Sequence, residues 1–503
     1  MSKKKRDRCH RTSFFAEEEK TVSSPKNKTK NVKNKYTYIG ELKNHKRHGI
    51  GTCNYLGQLH GDKYEGSWED DKKNGNGLYT FKSGSLYEGN YLNDLKHGLG
   101  TFKYSDGRIY EGFWLDNKKD GNGKMTYPEL GVYNGEWKKD SKVKGSFIFC
   151  NGDKYSGEWK DNKRHGKGIY FLKVENRIYN GEWKNNKKDG FGKYSYKSGD
   201  TYEGYYSNDC KNGKGTYIYN DGSKYIGNWK DSYFHGFGTK YDINNRKIYE
   251  GEWDMEVFHG KGKYYYESGD IYDGNYIKGN RHGFGKYYFN DGRYFEGNWD
   301  NDKRHGYGKI YYKENNNLKY EGYWENNSYH GKGIKYEENG DIIYDGEWCN
   351  NFAEGYGIHY KEGNIKLYEG FLKNGLYHGI GTKYNEEGEV IYKGNFKNDK
   401  YDGKGIQFLH NGDKYEGEFV DGKRCGYGIY TFNDNKKYEG FIKNNKRNGI
   451  GKFHSSNGNL LYDGEWYDDK LNGKGISYYE NGEIEHDGEW KDNKIIIYQA
   501  TII

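Results

Sequence analysis

The sequence predicts an all-β protein: an elongated, single-layer antiparallel β-meander of stacked hairpins, twisted into a ribbon with an aromatic groove, behind a disordered N-terminal tail. Three observations carry that expectation. A motif of the form Tyr-x-Gly-x-Trp, then six residues, then Gly-x-Gly, recurs along nearly the whole chain, as in Tyr225-x-Gly227-x-Trp229 and Gly236-x-Gly238. Repetition at a short fixed period marks a repeat architecture. Inside each copy, rings and glycines alternate with Glu, Asn, Lys and Asp, the two-residue period of a strand with one buried face. The 76 glycines and 2 prolines among 503 residues fit regular turns between strands better than a flexible linker.

Residues 1–35 come first. They hold 12 Lys and Arg against 4 Asp and Glu, 12 − 4 = +8, which is the net charge of the entire chain. This segment opens on Lys3, Lys4, Lys5, Arg6 and Arg8 and has no periodicity, so a disordered basic tail is expected. Two uses suit it besides that of a solvated tail. One is a polybasic anchor at an anionic membrane surface, with Cys9 as an acylation site; the other, weaker, is a nuclear-localisation signal.

Residues 36–485 form the repeat array. Copies begin at Tyr38, Tyr64, Tyr87, Tyr110, Tyr133, Tyr155, Tyr179, Tyr202, Tyr225 and Tyr249. They continue at Tyr272, Phe295, Tyr320, Tyr344, Tyr368, Tyr392, Tyr415, Tyr438, Tyr462 and His486, giving 20 starts spaced 22 to 26 residues apart. All 12 tryptophans stand at the fifth position of a repeat. After the second glycine, Tyr217 and Tyr219, or Tyr194 and Tyr196, bring further rings to the same face. Each repeat therefore reads as two short strands, and polar turns such as Asn220-Asp221-Gly222 lead to the next.

Equivalent tryptophans lie two strands, roughly 9.6 Å, apart, beyond the ~4.5–7 Å of ring contact. The second-strand Tyr and Phe are expected to fill that gap, and the glycines to leave room for a ring over the backbone. Two departures stand out. After Tyr133 only Gly145 of the glycine pair is present, and Leu42, Leu372, Phe396, Phe419 and Ile442 replace the usual Trp or Tyr. The last four are consecutive, which predicts altered curvature or an interface, with simple drift of the repeat as the alternative. Residues 486–503, a truncated repeat ending in apolar Ile495–Tyr498 and Thr501–Ile503, are expected to cap the last hairpin or to be buried in a dimer contact or a partner.

This pattern, down to Arg164-His-Gly-Lys-Gly168 and Arg304-His-Gly-Tyr-Gly308, resembles the MORN repeat (membrane occupation and recognition nexus) from Tyr38 to about Trp490. The resemblance implies stacked hairpins in one sheet and a non-enzymatic scaffold for cytoskeletal or membrane-skeleton proteins, with a homodimer as a further expectation. Relatives with lipid-kinase or methyltransferase domains exist, and a lipid-kinase-like name would reflect the repeats alone. The weight of Asn, Lys and Tyr fits an AT-rich protozoan genome.

Sites are few. Nine His precede the Gly-x-Gly, but a repeat of roughly 9.6 Å is too long for successive His to share one zinc ion, so turn packing is expected rather than metal binding. The glycines follow neither a phosphate-loop spacing nor a helix start, and no HExxH, nucleophile elbow or EF-hand loop occurs. No catalytic residue and no cofactor is expected. Scattered cysteines without a CxxC, and no signal peptide, suggest a reduced intracellular setting. Basic turns at 138–143, 160–165 and 184–189 form a stripe, making Lys138, Lys139, Lys163, Arg164, Lys187 and Lys188 candidate contacts for anionic phospholipid. Interleaved charge argues against sequence-specific nucleic-acid binding.

Overall fold

Alternation of ring and polar residue sets each strand, and a pair of left-handed residues sets each hairpin. In this computed structural model residues 36–497 are described; the expectations on the basic tail, on Cys9 and on Tyr498–Ile503 lie outside them. The described residues hold 40 strands, no α-helix and two short 3-10 turns, Gly57–Leu59 and Glu362–Asn364. They fall into two units, one reaching Phe258 and the other starting at His259. Within each unit, successive strands run antiparallel and pair with their chain neighbours, as Lys224–Lys230 does with Cys210–Ile218 and Tyr233–Tyr241.

The hairpin loop inside a repeat has two residues, both at positive φ, such as Asp231 (φ 49°) and Ser232 (φ 71°). That is the type I′ turn, whose twist matches the strands it joins, and it explains the Asn and Asp that fill these positions. Between repeats a longer turn closes through Tyr219 N–H donating to the Ser223 carbonyl at 2.8 Å, with Gly222 at φ 88°. A register shift also falls between Gly227 and Trp229, leaving extra residues on the facing strand, where Gly236 (φ 60°) takes the bulge. The Tyr133 repeat handles this differently. Its second strand is one residue shorter between Trp137 and Gly135, and Val143 stands where no positive φ is needed. The missing glycine there is a shorter bulge.

The glycines of each repeat align across the sheet. Gly40 faces Gly51, Gly51 faces Gly66, and the line runs on to Gly227, Gly238 and Gly251 in the first unit. In the second unit it runs from Gly262 and Gly274 to Gly475 and Gly488. The first-position Tyr lies across this line: a Cβ at Gly227 or Gly238 would strike the Tyr225 hydroxyl. These Tyr and all 12 Trp are buried, apart from Tyr38 at the start.

Candidate functional site

In each unit one face of the sheet carries a file of rings. The Tyr225 hydroxyl donates to the Asn228 carbonyl at 2.9 Å, which holds its ring flat over the glycines. Trp229 meets that ring edge-on at 5.4 Å, and Nε1 of Trp229 donates to the carbonyl of Gly215 in the preceding repeat at 3.1 Å. Tyr225 also meets Trp253 of the following repeat at 5.5 Å. The first-position Tyr thus bridges successive tryptophans. Second-strand rings share that bridge: Tyr217 lies 6.1 Å from Trp229, and Phe234 lies 4.9 Å from Trp229 and 5.3 Å from Trp253. The second-strand rings expected in the gap are there, and the first-position ring joins them by leaning across the side-chain-free glycine line.

The tenth position, except at Ala353 and Leu471, completes the file in one of two ways. Where it is cationic it sits on the next repeat's ring, as Arg47 over Trp68 at 4.0 Å, Arg164 over Trp183 at 4.3 Å and Lys211 over Trp229 at 4.7 Å. Where it is aromatic it stacks on its own Tyr, as Phe234 on Tyr225 at 3.8 Å and Tyr377 on Tyr368 at 3.7 Å. Burial holds the Arg164 guanidinium below its usual range and pushes Lys96, lying over Phe102 and Trp114, down to about 8.

The basic stripe is divided by this geometry. Arg164 and Lys188 are turned onto rings, Lys188 lying 4.8 Å from Tyr194, whereas Lys138, Lys139, Lys163 and Lys187 are exposed along the hairpin-loop edge. Lys160 and Lys184 join them there. At some other places on this edge the ninth-position Lys pairs with an Asp of the next loop, as Lys400 with Asp421 at 2.9 Å and Lys470 with Asp492 at 3.0 Å, whereas Lys303 meets Asn326 at 3.1 Å. After Lys163 and Lys187 the corresponding residues are Asn185 and Asn208, so only a neutral amide answers; Nζ of Lys187 donates to Oδ1 of Asn208 at 3.2 Å.

On the opposite face, residues between the paired glycines meet the fourth position of the next repeat. Lys–carboxylate pairs line the adjoining row, for instance Lys286–Glu296 at 2.7 Å. At intervals the row between the glycines carries exposed ring pairs: Phe191 and Tyr205 at 5.4 Å, Tyr307 and Tyr323 at 5.8 Å, Tyr356 and Phe371 at 5.6 Å, Tyr427 and Phe441 at 5.7 Å. Sequence reasoning missed these pairs, because the partners are 14 to 16 residues apart and become neighbours only once the register is known. Their signal was an aromatic inside Gly-x-Gly followed by another just after the next Tyr-x-Gly.

The histidines lie by the hairpin loops, His235 Nδ1 at 3.3 Å from Asp254 and His282 Nδ1 at 3.2 Å from Asp300. Among the described residues no three His, Cys, Asp or Glu side chains converge as metal ligands would, and no helix is long and apolar enough to cross a membrane.

The family model for the MORN repeat matches 19 segments, from residues 38–55 to 462–484, Tyr225, Gly227, Trp229, Gly236 and Gly238 among them. The chain belongs to the MORN-repeat family. No curated protein matches it. Among solved structures it is similar to the TCP10 domain of Danio rerio CPAP, 10% identical, with 41% of this chain and 90% of that one covered and a TM-score of 0.23. It is also similar to the SAS-4 TCP domain of Drosophila melanogaster in complex with a proline-rich motif of Ana2, at 15% identity, 31% and 84% coverage and a TM-score of 0.21. A streptogramin B lyase is 12% identical over 56% of this chain and 95% of its own, with a TM-score of 0.11. Overlaps this slight carry no weight for function.

Proposed function

We propose that this MORN array is a non-enzymatic scaffold that gathers cytoskeletal or membrane-skeleton proteins. The observation that supports it is the row of exposed ring pairs on the face opposite the ring file. Paired aromatics held on a stiff sheet offer large contact area at small entropic cost, the composition favoured at protein interfaces. Proximity labelling with the tagged full chain tests the reading. Cortical or filament-associated proteins should be enriched, and the double substitution Tyr356→Ser with Phe371→Ser should remove a subset of them while leaving the thermal midpoint within a few degrees. Labelling that matches a freely diffusing control would sink the proposal.

A second reading is an anionic-phospholipid tether, for which the exposed lysines of the 138–187 edge, answered by Asn rather than Asp, are the support.

A further inference from the structure

The first strand of the array, Tyr36–Lys43, stands at an edge of the sheet. Among the described residues it pairs only with Lys46–Tyr55, whereas a later first strand such as Ile365–Lys373 also has the second strand of the preceding repeat, Phe352–Lys361, on its other side. One pair of side chains measures the difference. Leu372 and Leu42 share the fifth position; Leu372, facing Gly355 of the strand before it, is 3% exposed, and Leu42 is 62% exposed. On the other face Ile39 is 75% exposed, at a position where most repeats carry Glu or Asp. The strand is eight residues long, has no proline, and bears only Glu41 and Lys43 as charges. Such an edge is open to pairing with another chain.

The far end of the array offers the kind of strand that is missing. Ile484–Lys491 is a first strand, and Lys494–Ile495 begins its second: Trp490 faces Ile495, and the Ile496 N–H donates to the Glu489 carbonyl at 2.9 Å. No Gly-x-Gly follows. Residues 495–503 instead hold seven apolar residues in nine, with no charge and no proline, a composition suited to a strand that pairs between molecules. Ile495 and Ile497 are exposed. The two ends are also opposite in charge: residues 1–35 carry +8, while residues 480–497 hold 2 Lys against 6 Asp and Glu, 2 − 6 = −4.

We propose that copies of this chain join head to tail, residues 495–503 of one copy pairing as a further strand with the free edge of Tyr36–Lys43 in the next. First and second strands then keep alternating across the junction, and Leu42 and Ile39 gain the apolar cover that the preceding repeat gives elsewhere. Contact between two heads would instead set first strand against first strand and bring two +8 segments together, so complementary charge favours head to tail. Each added copy leaves one head and one tail free, so assemblies grow with concentration.

Sedimentation velocity on the full chain across a dilution series tests this. The wild type should show species of twice the monomer mass and above, increasing with concentration. A head variant, Ile39→Lys with Leu42→Lys, and a tail variant, Ile497→Asp with Ile502→Asp, should each lose them. Their thermal midpoints should stay at the wild-type value, since Ile39, Leu42 and Ile497 are already exposed. Mixed together, the two variants should restore a single species, a dimer of one of each, because one keeps a sound tail and the other a sound head. A monomeric wild type, self-association that either variant leaves intact, or a mixture that stays monomeric would overturn head-to-tail pairing. The scaffold reading would still stand on its own test, since a monomer presents the same outer face.

Discussion

At the scale of the residue, the strongest constraint is the glycine under each tyrosine ring. Gly238 has no unusual φ; what excludes a side chain is the Tyr225 hydroxyl, where a Cβ would lie. Gly238→Ala should therefore cost about 1–3 kcal/mol by overpacking. Gly222→Ala, at φ 88° with open space around it, should cost about 1–2 kcal/mol from backbone strain alone. Urea unfolding compares them, and equal losses would mean that the ring yields easily. The same tyrosines make stability depend on alkali. Burial pushes the Tyr415 and Tyr462 hydroxyls from the ordinary 10.0 up to about 12, and Tyr225 further. A folded value above the unfolded one means that stability is complete below about pH 10 and is lost as pH climbs through the folded values. The urea midpoint should fall between about pH 9 and about pH 11.5, and a flat profile would contradict the burial of these rings.

At the scale of the element, the device that joins repeats is the second residue of each type I′ loop. Oδ1 of Asn186 accepts from the Arg164 backbone N–H at 2.8 Å, and the Asn186 N–H donates back to the Arg164 carbonyl at 3.0 Å. Asn186→Gly keeps the left-handed backbone (φ 70°) and removes only the side-chain bond, so it should cost about 0.5–1.5 kcal/mol. Asn186→Ala adds about 1–2 kcal/mol of left-handed strain. Chemical denaturation should rank Ala below Gly and Gly below the wild type; Ala equal to or above Gly would mean that left-handed strain counts for little, and Gly equal to the wild type that the side-chain bond does. Period and polarity made the hairpins and the ring face legible in the sequence, since both are local along a strand. The loop clamp, the tenth-position cation and the outer ring pairs were not, because each joins residues of different repeats. Which residues meet is decided by the bulge between Gly227 and Trp229, whose mark, the recurring first glycine of Gly-x-Gly, does not by itself give the register.

At the scale of the whole molecule, the balance of charge decides between the two functional readings. All of the net +8 resides in residues 1–35, with 70 basic and 70 acidic residues in the rest, so attraction of the chain to an anionic surface has two separable sources. One is the tail. The other is the edge where Lys138, Lys139, Lys160, Lys163, Lys184 and Lys187 are exposed. Each lysine near an anionic bilayer contributes about 1 kcal/mol, and the attraction is screened within roughly 8 Å at physiological salt. If the tether reading is right, the full chain should co-sediment with phosphatidylserine vesicles at low salt and be released as salt rises. Removing residues 1–35 should then weaken binding, and replacing Lys163 and Lys187 by Gln in the truncated chain should weaken it further. Loss in the truncation alone assigns the contact to the tail and leaves the array free for proteins. Vesicles that carry down none of the three proteins exclude the tether, and the ring pairs of the outer face then become the surface to pursue.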